Sequence, residues 1–238
     1  GHVVFVTMNR PERLNALHPP ANAEMRQAFA GFRDDPEAWV AIVTGAGDRA
    51  FSAGNDLVYH AGHGRPGEPY PDGERYPFGG ITAGFTCWKP IIAAVNGYAI
   101  GGGLELALAC DIIVAADHAQ FGAPEARVGV VSAAGGVHRL PRQLPHKIAM
   151  GMLLTGKPIG AEEAYRWGLV NEVVPRGKLM SAAERWAADI IDCAPLSVRA
   201  HKQMALTGLD LPLDEAMGRR YSEFDRALAS DDFVRGPK

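Results

Sequence analysis

The sequence has few cysteines, no long apolar run and no block of like charges. Three cysteines, at positions 87, 110 and 193, form no C-x-x-C pair. This pattern predicts reduced, buried thiols in a cytoplasmic compartment and argues against a disulfide framework. No stretch approaches the roughly 18 apolar residues that a membrane-spanning helix needs. The net charge of −3 is spread along the chain, so neither nucleic acid nor an anionic membrane is expected as the main partner.

Common cofactor and catalytic motifs are missing as well. No serine lies in G-x-S-x-G and no G-x-x-x-x-G-K-[ST] occurs, which argues against a nucleophile elbow and a P-loop. Gly45-Ala46-Gly47 follows a strand-like run without the third glycine of a dinucleotide fingerprint, so no nucleotide cofactor is predicted. The eight histidines never form H-x-x-x-H, and His60 with His63 fits a solvated loop better than a metal site.

The composition, with 47% hydrophobic and 21% charged residues among 238, is typical of a globular protein with a sizeable core. Apolar periodicity predicts strands and helices in alternation, at 3–7, 20–33, 39–44, 91–95, 104–110 and 111–116. We expect no signal peptide, because the first of these strands begins at Val3. Residues 60–80, rich in proline and glycine, predict a mobile surface loop or lid.

From about residue 135 the patterns become helical. They predict helices over 146–155, 161–167, 178–193, 195–207 and 212–229. Strand–helix alternation followed by helices predicts an α/β protein of βαβ units with a helical C-terminal part.

Three consecutive glycines, Gly101–Gly103, separate a predicted buried strand from a predicted helix. Glycine lets a backbone approach a ligand closely, and the first amides of a helix lack intrahelical partners. With the helix dipole, such amides suit a phosphate or a developing oxyanion. Glu105 lies in the same first turn, so its carboxylate can return to that site. A glycine-rich turn with an ordinary first-turn acid explains the same residues on local grounds.

Two further stretches could contribute polar groups. Residues 51–57 follow a strand and can present backbone N–H groups in a tight bend, since Asn55 tolerates left-handed geometry. A loop with a capping Asn-Asp pair is the alternative interpretation. Glu125 follows Pro124 in an apolar context, where burial would disfavour its charged form and suit proton transfer. Two carboxylates in different environments can divide acid and base roles between them.

Six stretches together resemble the crotonase family, also called the enoyl-CoA hydratase/isomerase family, and occur in that family's order. They are NRPERLNAL (9–17), FSAGNDL (51–57), KPIIAAVNGYAIGGG (89–103), FGAPE (121–125), GGVHRLP (135–141) and GLVNEVV (168–174). Each stretch alone is a modest match, and the six in register cover essentially the whole chain.

The resemblance implies a fold and an assembly. Crotonases are spirals of ββα units with a helical C-terminal region, and they form trimers or pairs of trimers. We therefore expect a spiral core with the acyl-CoA site over 1–180 and a helical trimerisation region over 181–238. The expected partners are an acyl-CoA substrate and further copies of the chain, as a homotrimer or homohexamer. Coenzyme A would be part of the substrate, so no cofactor and no metal are expected.

The resemblance also implies roles for particular residues. The backbone N–H groups that bind the thioester oxygen map onto Asn55 and Gly102, and the hydratase carboxylates map onto Glu105 and Glu125. The positions that match substrate-contacting segments of the family are Arg13, Ala16, Ala53, Asn55, Asp56, Leu57, Gly101, Gly102 and Pro124. Hydration would then proceed by attack of water at Cβ, with the enolate oxygen in the amide pair and protons moved by the two carboxylates.

Alternatives within and outside this chemistry stay open. An enoyl-CoA isomerase needs only one carboxylate, and Asn55 stands where many hydratases have Ala, a choice also seen among isomerases. Residues 139–145 and 166–171 are similar to the carnitinyl-CoA dehydratase branch. Residues 132–136 have the sequence SAAGG, where many hydratases have Pro-Gly-Ala-Gly-Gly. A crotonase-fold binding or scaffolding protein without catalysis is the non-enzyme alternative, which the retained acid pair disfavours.

Overall fold

The structure, a computed structural model, describes residues 1–63 and 77–232. Strands and helices alternate along most of the chain, and the last four elements are helices. The strands and helices are β1 (Val3–Met8), α1 (Pro19–Asp34), β2 (Val40–Gly45), β3 (Ala50–Ser52), α2 (Leu57–His63), β4 (Ile91–Val95), β5 (Tyr98–Ile100), α3 (Gly102–Leu108), β6 (Ile112–Ala116), β7 (Gln120–Gly122), α4 (Gly136–Gln143), α5 (His146–Thr155), β8 (Ile159–Gly160), α6 (Ala161–Arg166), β9 (Glu172–Val174), α7 (Leu179–Ile191), α8 (Pro195–Gly208), α9 (Leu213–Gly218) and α10 (Ser222–Leu228). Short 3-10 turns lie at Pro11–Arg13, Phe78–Gly80, Pro124–Val128 and Arg176–Lys178.

The strands form two sheets. A five-stranded parallel sheet has the order β1-β2-β4-β6-β9, and a four-stranded sheet has the order β3-β5-β7-β8, with β8 antiparallel to β7. Along the chain, β2-β3-α2 and β4-β5-α3 each contribute one strand to the first sheet, one to the second, and then a helix. This repeat confirms the predicted α/β spiral of ββα units.

Both faces of the five-stranded sheet are covered by helices. Val40 and Ile42 of β2 pack in one cluster with α7. Ala41 and Val43 alternate with them and face the opposite cluster, which includes the buried side of α1. Parallel strands buried on both faces are expected to be apolar throughout rather than alternating, which is why these runs were recognisable in the sequence.

The predicted helix over 212–229 is wrong as a single element, because α9 and α10 are separate. Arg219 and Tyr221 between them have extended backbone angles. Tyr221 is buried, and its hydroxyl donates to the Ala216 carbonyl at 2.9 Å. The chain is therefore turned back so that one aromatic side chain packs inward, which a continuous helix would not allow.

The prediction of a surface loop over residues 60–80 is wrong at both of the ends that the structure describes. Helix α2 continues to His63, and Phe78–Gly80 form a buried 3-10 turn. The ring of Phe78 lies against Gly102, where a Cβ atom would come within 2.6 Å of it. The remainder of that prediction, residues 64–76, lies outside the described residues.

The three cysteines are unpaired but differ in burial. Cys87 is buried, Cys110 is half-buried and Cys193 is exposed just after α7, so the prediction of burial is wrong for Cys193. Across residues 1–63 and 77–232, no helix combines the length and apolar character needed to cross a membrane. The division into 1–180 and 181–238 stays a prediction.

Candidate active site

The site is built around the sharp turn from β5 into α3. Gly101 has φ +58° and ψ −123°, a conformation that favours glycine, and its N–H donates to the Gly122 carbonyl at 2.8 Å. Helix α3 then begins at Gly102 and is buried throughout. A side chain at Gly103 would overlap with the Ser52 carbonyl of β3. The three glycines therefore allow the helix start to pack directly against neighbouring backbone.

The segment containing Asn55 is held against this turn. The Leu17 N–H donates to the Gly54 carbonyl at 2.8 Å, and the Asp56 N–H donates to the Leu17 carbonyl at 3.1 Å. Gly54 has φ +90°, and a Cβ atom there would lie 2.8 Å from the Gly102 amide nitrogen. Asn55 and Gly102 are thus brought together, as the resemblance implied.

The amides of Asn55 and Gly102 have a further property in common. Neither N–H donates a hydrogen bond to another described residue. The bonds of the bridge to Leu17 are made by Gly54 and Asp56, so they leave the Asn55 N–H free. The Gly102 N–H has no partner within the helix because Gly102 is the first residue of α3. Two adjacent amides with free donors can bind one anionic oxygen.

Glu105 lies one turn into α3 and is only 4% exposed. The Gly136 N–H donates to its Oε1 at 2.8 Å. Burial raises the pKa of Glu105 to about 7, and the negative charge of Glu125 acts in the same direction, while the hydrogen bond from Gly136 opposes the shift. A carboxyl group with such a pKa can hold or release a proton near neutral pH.

Glu125 lies in the first turn of the 3-10 segment Pro124–Val128 and is half-buried. Its Oε2 is sealed from solvent without a hydrogen-bond partner among the described residues. Its Oε1 faces Gly101, where a Cβ atom would lie 3.1 Å away. Glu105 and Glu125 therefore flank the same glycine turn.

The prediction that apolar neighbours bury Glu125 is wrong for the valines that follow it. Val128, Val130 and Val131, which follow it, are all exposed. Val128 is the last residue of the 3-10 turn, and Val130 and Val131 follow the change of direction at Gly129, which has a left-handed conformation.

Residues 10–17 and 51–57 are joined by a salt bridge that sequence reasoning did not single out. The Arg10 guanidinium donates to Asp56 at 2.8 Å and to the Ala16 carbonyl at 2.5 Å. Although burial opposes it, hydrogen bonds from the Tyr59 N–H and from Arg10 hold the pKa of Asp56 below its ordinary value. Arg10 lies in the NRPERLNAL stretch, but nothing local marks its partner.

The other residues predicted to contact substrate lie around this bridge and turn. Ala16 is buried, Ala53 is half-buried and donates its N–H to the Leu14 carbonyl at 2.9 Å, and Leu57 is exposed at the start of α2. Arg13 is exposed at the end of a 3-10 turn. Their contacts with a substrate stay a prediction.

Asp111 and His63 make structural contacts away from the glycine turn. Asp111 accepts hydrogen bonds from the Ile91 N–H and from Lys202, both at 2.7 Å, and so links β4 to α8. His63 stacks on Tyr59 with ring centroids 4.3 Å apart. In the part of the chain that the structure describes, no group of three His, Cys, Asp or Glu side chains could hold a metal ion.

Comparison with known proteins gives results that agree with this geometry. A carnitinyl-CoA dehydratase of Escherichia coli K12 is 45% identical over 245 residues, covering 100% of this chain and 91% of that protein. A solved structure described as a putative short-chain enoyl-CoA hydratase from Novosphingobium aromaticivorans superposes with a TM-score of 0.90 at 40% identity, covering 100% of this chain and 90% of that one. A carnitinyl-CoA dehydratase from Mycobacterium avium gives 0.82 at 43%, with coverages of 100% and 93%.

The fold is that of the crotonase enzymes, and Asn55, Gly102, Glu105 and Glu125 lie around one turn. The family model described as enoyl-CoA hydratase/isomerase matches residues 1–238. The chain belongs to the enoyl-CoA hydratase/isomerase family.

Proposed function

We propose that the chain is an enoyl-CoA hydratase-type lyase, which adds water reversibly to the double bond of an α,β-unsaturated acyl-CoA. One observation carries this proposal: two carboxylates, Glu105 and Glu125, flank the turn at which the amides of Asn55 and Gly102 are free. Acyl-CoA is the substrate in this proposal, and neither a separate cofactor nor a metal takes part.

The amides act on the charge that develops during the reaction. When water attacks Cβ, negative charge moves onto the thioester oxygen, and two preorganised N–H donors stabilise that enolate more than the neutral carbonyl. Losing one such donor typically costs about 3–4 kcal/mol of transition-state stabilisation. Backbone amides at a helix start are already oriented, so they need no reorganisation as charge develops.

The carboxylates move the protons. One takes a proton from water while the other supplies one to Cα, and the roles exchange when water is removed. The pKa of about 7 for Glu105 places both of its protonation states within reach at neutral pH.

The acyl-CoA would lie across the segments that the salt bridge of Arg10 and Asp56 joins. Arg13, Ala16, Ala53 and Leu57, together with Asp56, are proposed to contact its coenzyme A part, with Gly101 and Pro124 beside the reacting carbons. Support comes from the position of these segments next to the free amides.

A specialised dehydration is the second candidate. The relatives from Escherichia coli and Mycobacterium avium described as carnitinyl-CoA dehydratases share 45% and 43% identity with this chain. Removal of water from a 3-hydroxyacyl-CoA uses the same two acids in reverse, so the two candidates differ in acyl group and not in mechanism.

The decisive experiment measures hydration of a panel of enoyl-CoA thioesters by loss of the conjugated thioester absorbance. The panel includes crotonyl-CoA and the dehydrated form of carnitinyl-CoA. We expect Glu105→Gln and Glu125→Gln each to lower kcat by at least about 100-fold, whereas Glu184→Gln on the exposed face of α7 leaves kcat unchanged.

Other outcomes favour other functions. If a 3-enoyl-CoA is isomerised and only one of the two acids is required, the isomerase alternative is correct. A folded wild-type protein that is inert towards every acyl-CoA of the panel contradicts the catalytic proposal and favours a binding protein.

The assembly and location are also part of the proposal. Large apolar side chains are exposed along α8–α10, and they are Leu206, Leu209, Leu213, Met217, Phe224 and Leu228. A patch of this kind is expected to be covered in an oligomer, so we propose a homotrimer or a pair of trimers. A cytoplasmic location is consistent with three unpaired cysteines.

A further inference from the structure

The turn over residues 131–136 brings a serine side chain next to Glu105. Ser132 is only 3% exposed, and its side chain makes no hydrogen bond within residues 1–63 and 77–232. Its oxygen is not among the side-chain atoms that are sealed from solvent without a partner, so it remains open to a water molecule or a ligand. Ser132 therefore has an unused donor and acceptor.

The geometry of Gly136 places the Ser132 side chain beside Glu105. A Cβ atom at Gly136 would lie 2.7 Å from the Ser132 Cβ and 3.1 Å from Oε1 of Glu105. Ser132 and Glu105 thus pack against the same glycine, the one whose N–H donates to Glu105. The side chain of Ser132 is part of the wall around that carboxylate.

The turn that carries Ser132 is held in place from both sides. Arg139 donates to the Thr82 carbonyl at 2.8 Å and to the Ala134 carbonyl at 3.4 Å. The Val137 N–H donates to the Ser132 carbonyl at 3.2 Å. Because its backbone is fixed in this way, the hydroxyl can rotate but the serine cannot move far from Glu105.

A hydrogen-bond donor beside Glu105 can help to hold the attacking water. A water molecule held in a protein site needs two to four polar partners. The ionised carboxylate that accepts a proton from this water donates no hydrogen bond to it. One lone pair of the water attacks Cβ, and the other is best fixed by a hydrogen-bond donor. A serine hydroxyl supplies such a donor, and it can also accept a hydrogen bond when the acids change protonation state.

We propose that Ser132 binds the β-oxygen of the reacting molecule, which is the attacking water in hydration and the 3-hydroxyl group of the acyl-CoA in dehydration. Ser132 is then a specificity-determining residue for hydrated acyl chains. This inference rests on the proposed hydratase function, and it adds a third polar group to Glu105 and Glu125.

The test uses the unsaturated and hydrated acyl-CoA pair that the wild-type enzyme turns over fastest, together with the saturated acyl-CoA of the same length. The saturated compound lacks a β-oxygen and is measured as a competitive inhibitor. For Ser132→Ala we expect KM for the hydrated acyl-CoA to rise about fivefold and kcat for hydration to fall about tenfold. The inhibition constant of the saturated acyl-CoA should stay within about twofold, because Ser132 does not touch that ligand.

The outcomes distinguish binding of the β-oxygen by Ser132 from a purely structural role of Ser132 in the turn. Equal losses for the hydrated and the saturated ligand would show a structural role and overturn the proposal, as would unchanged constants for both. Ser181→Ala, which removes an exposed hydroxyl bonded to the Lys178 carbonyl, controls for the substitution itself. A wild-type enzyme inert towards every acyl-CoA would instead contradict the proposed function.

Discussion

At the scale of single residues, Glu105 owes its properties to where α3 places it. The helix is buried from end to end, and one carboxylate oxygen accepts the Gly136 N–H. Because burial disfavours the charged form, the folded protein keeps the Glu105 proton up to about pH 7, whereas the unfolded chain loses it near the ordinary pKa of 4.5. Between these two pH values the folded state binds more protons than the unfolded state, so its stability falls as pH rises.

The first prediction concerns Glu105→Gln. The variant cannot lose a proton, so it should be more stable than wild type above pH 7, by about 1–3 kcal/mol, and similar to it near pH 4.5. Thermal unfolding at pH 5 and pH 8 measures this difference. Glu184→Gln, at an exposed position of α7, should show the same pH dependence as wild type. If the stability difference between Glu105→Gln and wild type does not increase with pH, burial does not raise the pKa of Glu105.

How far single residues could be predicted depends on whether their partners are local. The glycine run marked Gly102 and Glu105 as candidates because strand, glycines and helix are consecutive. The approach of Asn55 to Gly102 depends on the bridge from Leu17, and the partner of Arg10 is Asp56, far along the chain. Only the family resemblance placed Asn55 and Gly102 in one site, and nothing in the sequence selected Arg10.

At the scale of elements, the apolar periodicity of the sequence predicts only those strands and helices that are long enough to show a pattern. Strands β1, β2 and β4 are runs of five or six mostly apolar residues, and α5 lies at the predicted bounds of 146–155. Strands β3, β5 and β7 have three residues each, too few for an alternating pattern, yet they form the sheet on which the site is built. Helix α4 was not predicted because Pro141 lies inside it.

The second prediction compares two helical glycines. Gly136→Ala adds a methyl group against Ser132 and Glu105, which displaces the N–H donor and should lower kcat at least about tenfold, with about 1–3 kcal/mol of lost stability. A methyl group at Gly151 in α5 would meet no atom within 4 Å, so Gly151→Ala should stabilise the protein by about 0.5–1 kcal/mol. Steady-state kinetics and thermal unfolding measure both effects. Similar behaviour of the two variants would refute this difference in packing.

At the scale of the whole molecule, the spiral and the C-terminal helices have different surroundings. The two sheets are enclosed by their own helices, whereas α8–α10 present an apolar surface to solvent in the single chain. A homo-oligomer that buries this surface would complete the packing of the helical region.

The third prediction tests that surface. Changing Leu209 and Met217 together to Asp should reduce the mass measured by sedimentation to that of a single chain, because burying two charges at an apolar interface is unfavourable. Leu154→Asp, at an equally exposed leucine of α5, serves as the matched control and should leave the assembly intact. A double variant that keeps the wild-type mass would place the interface elsewhere.

The free N–H of Asn55 belongs to the backbone, and this has a consequence for mutational scans of the proposed mechanism. Every amino acid except proline keeps that N–H donor. A scan of side chains at position 55 would therefore find that most substitutions retain activity, although the backbone N–H itself had not been tested. Asn55→Pro removes the donor but also restricts φ. Replacing this one amide by an ester through chemical ligation would remove the proton alone, leaving side chain and chain path unchanged.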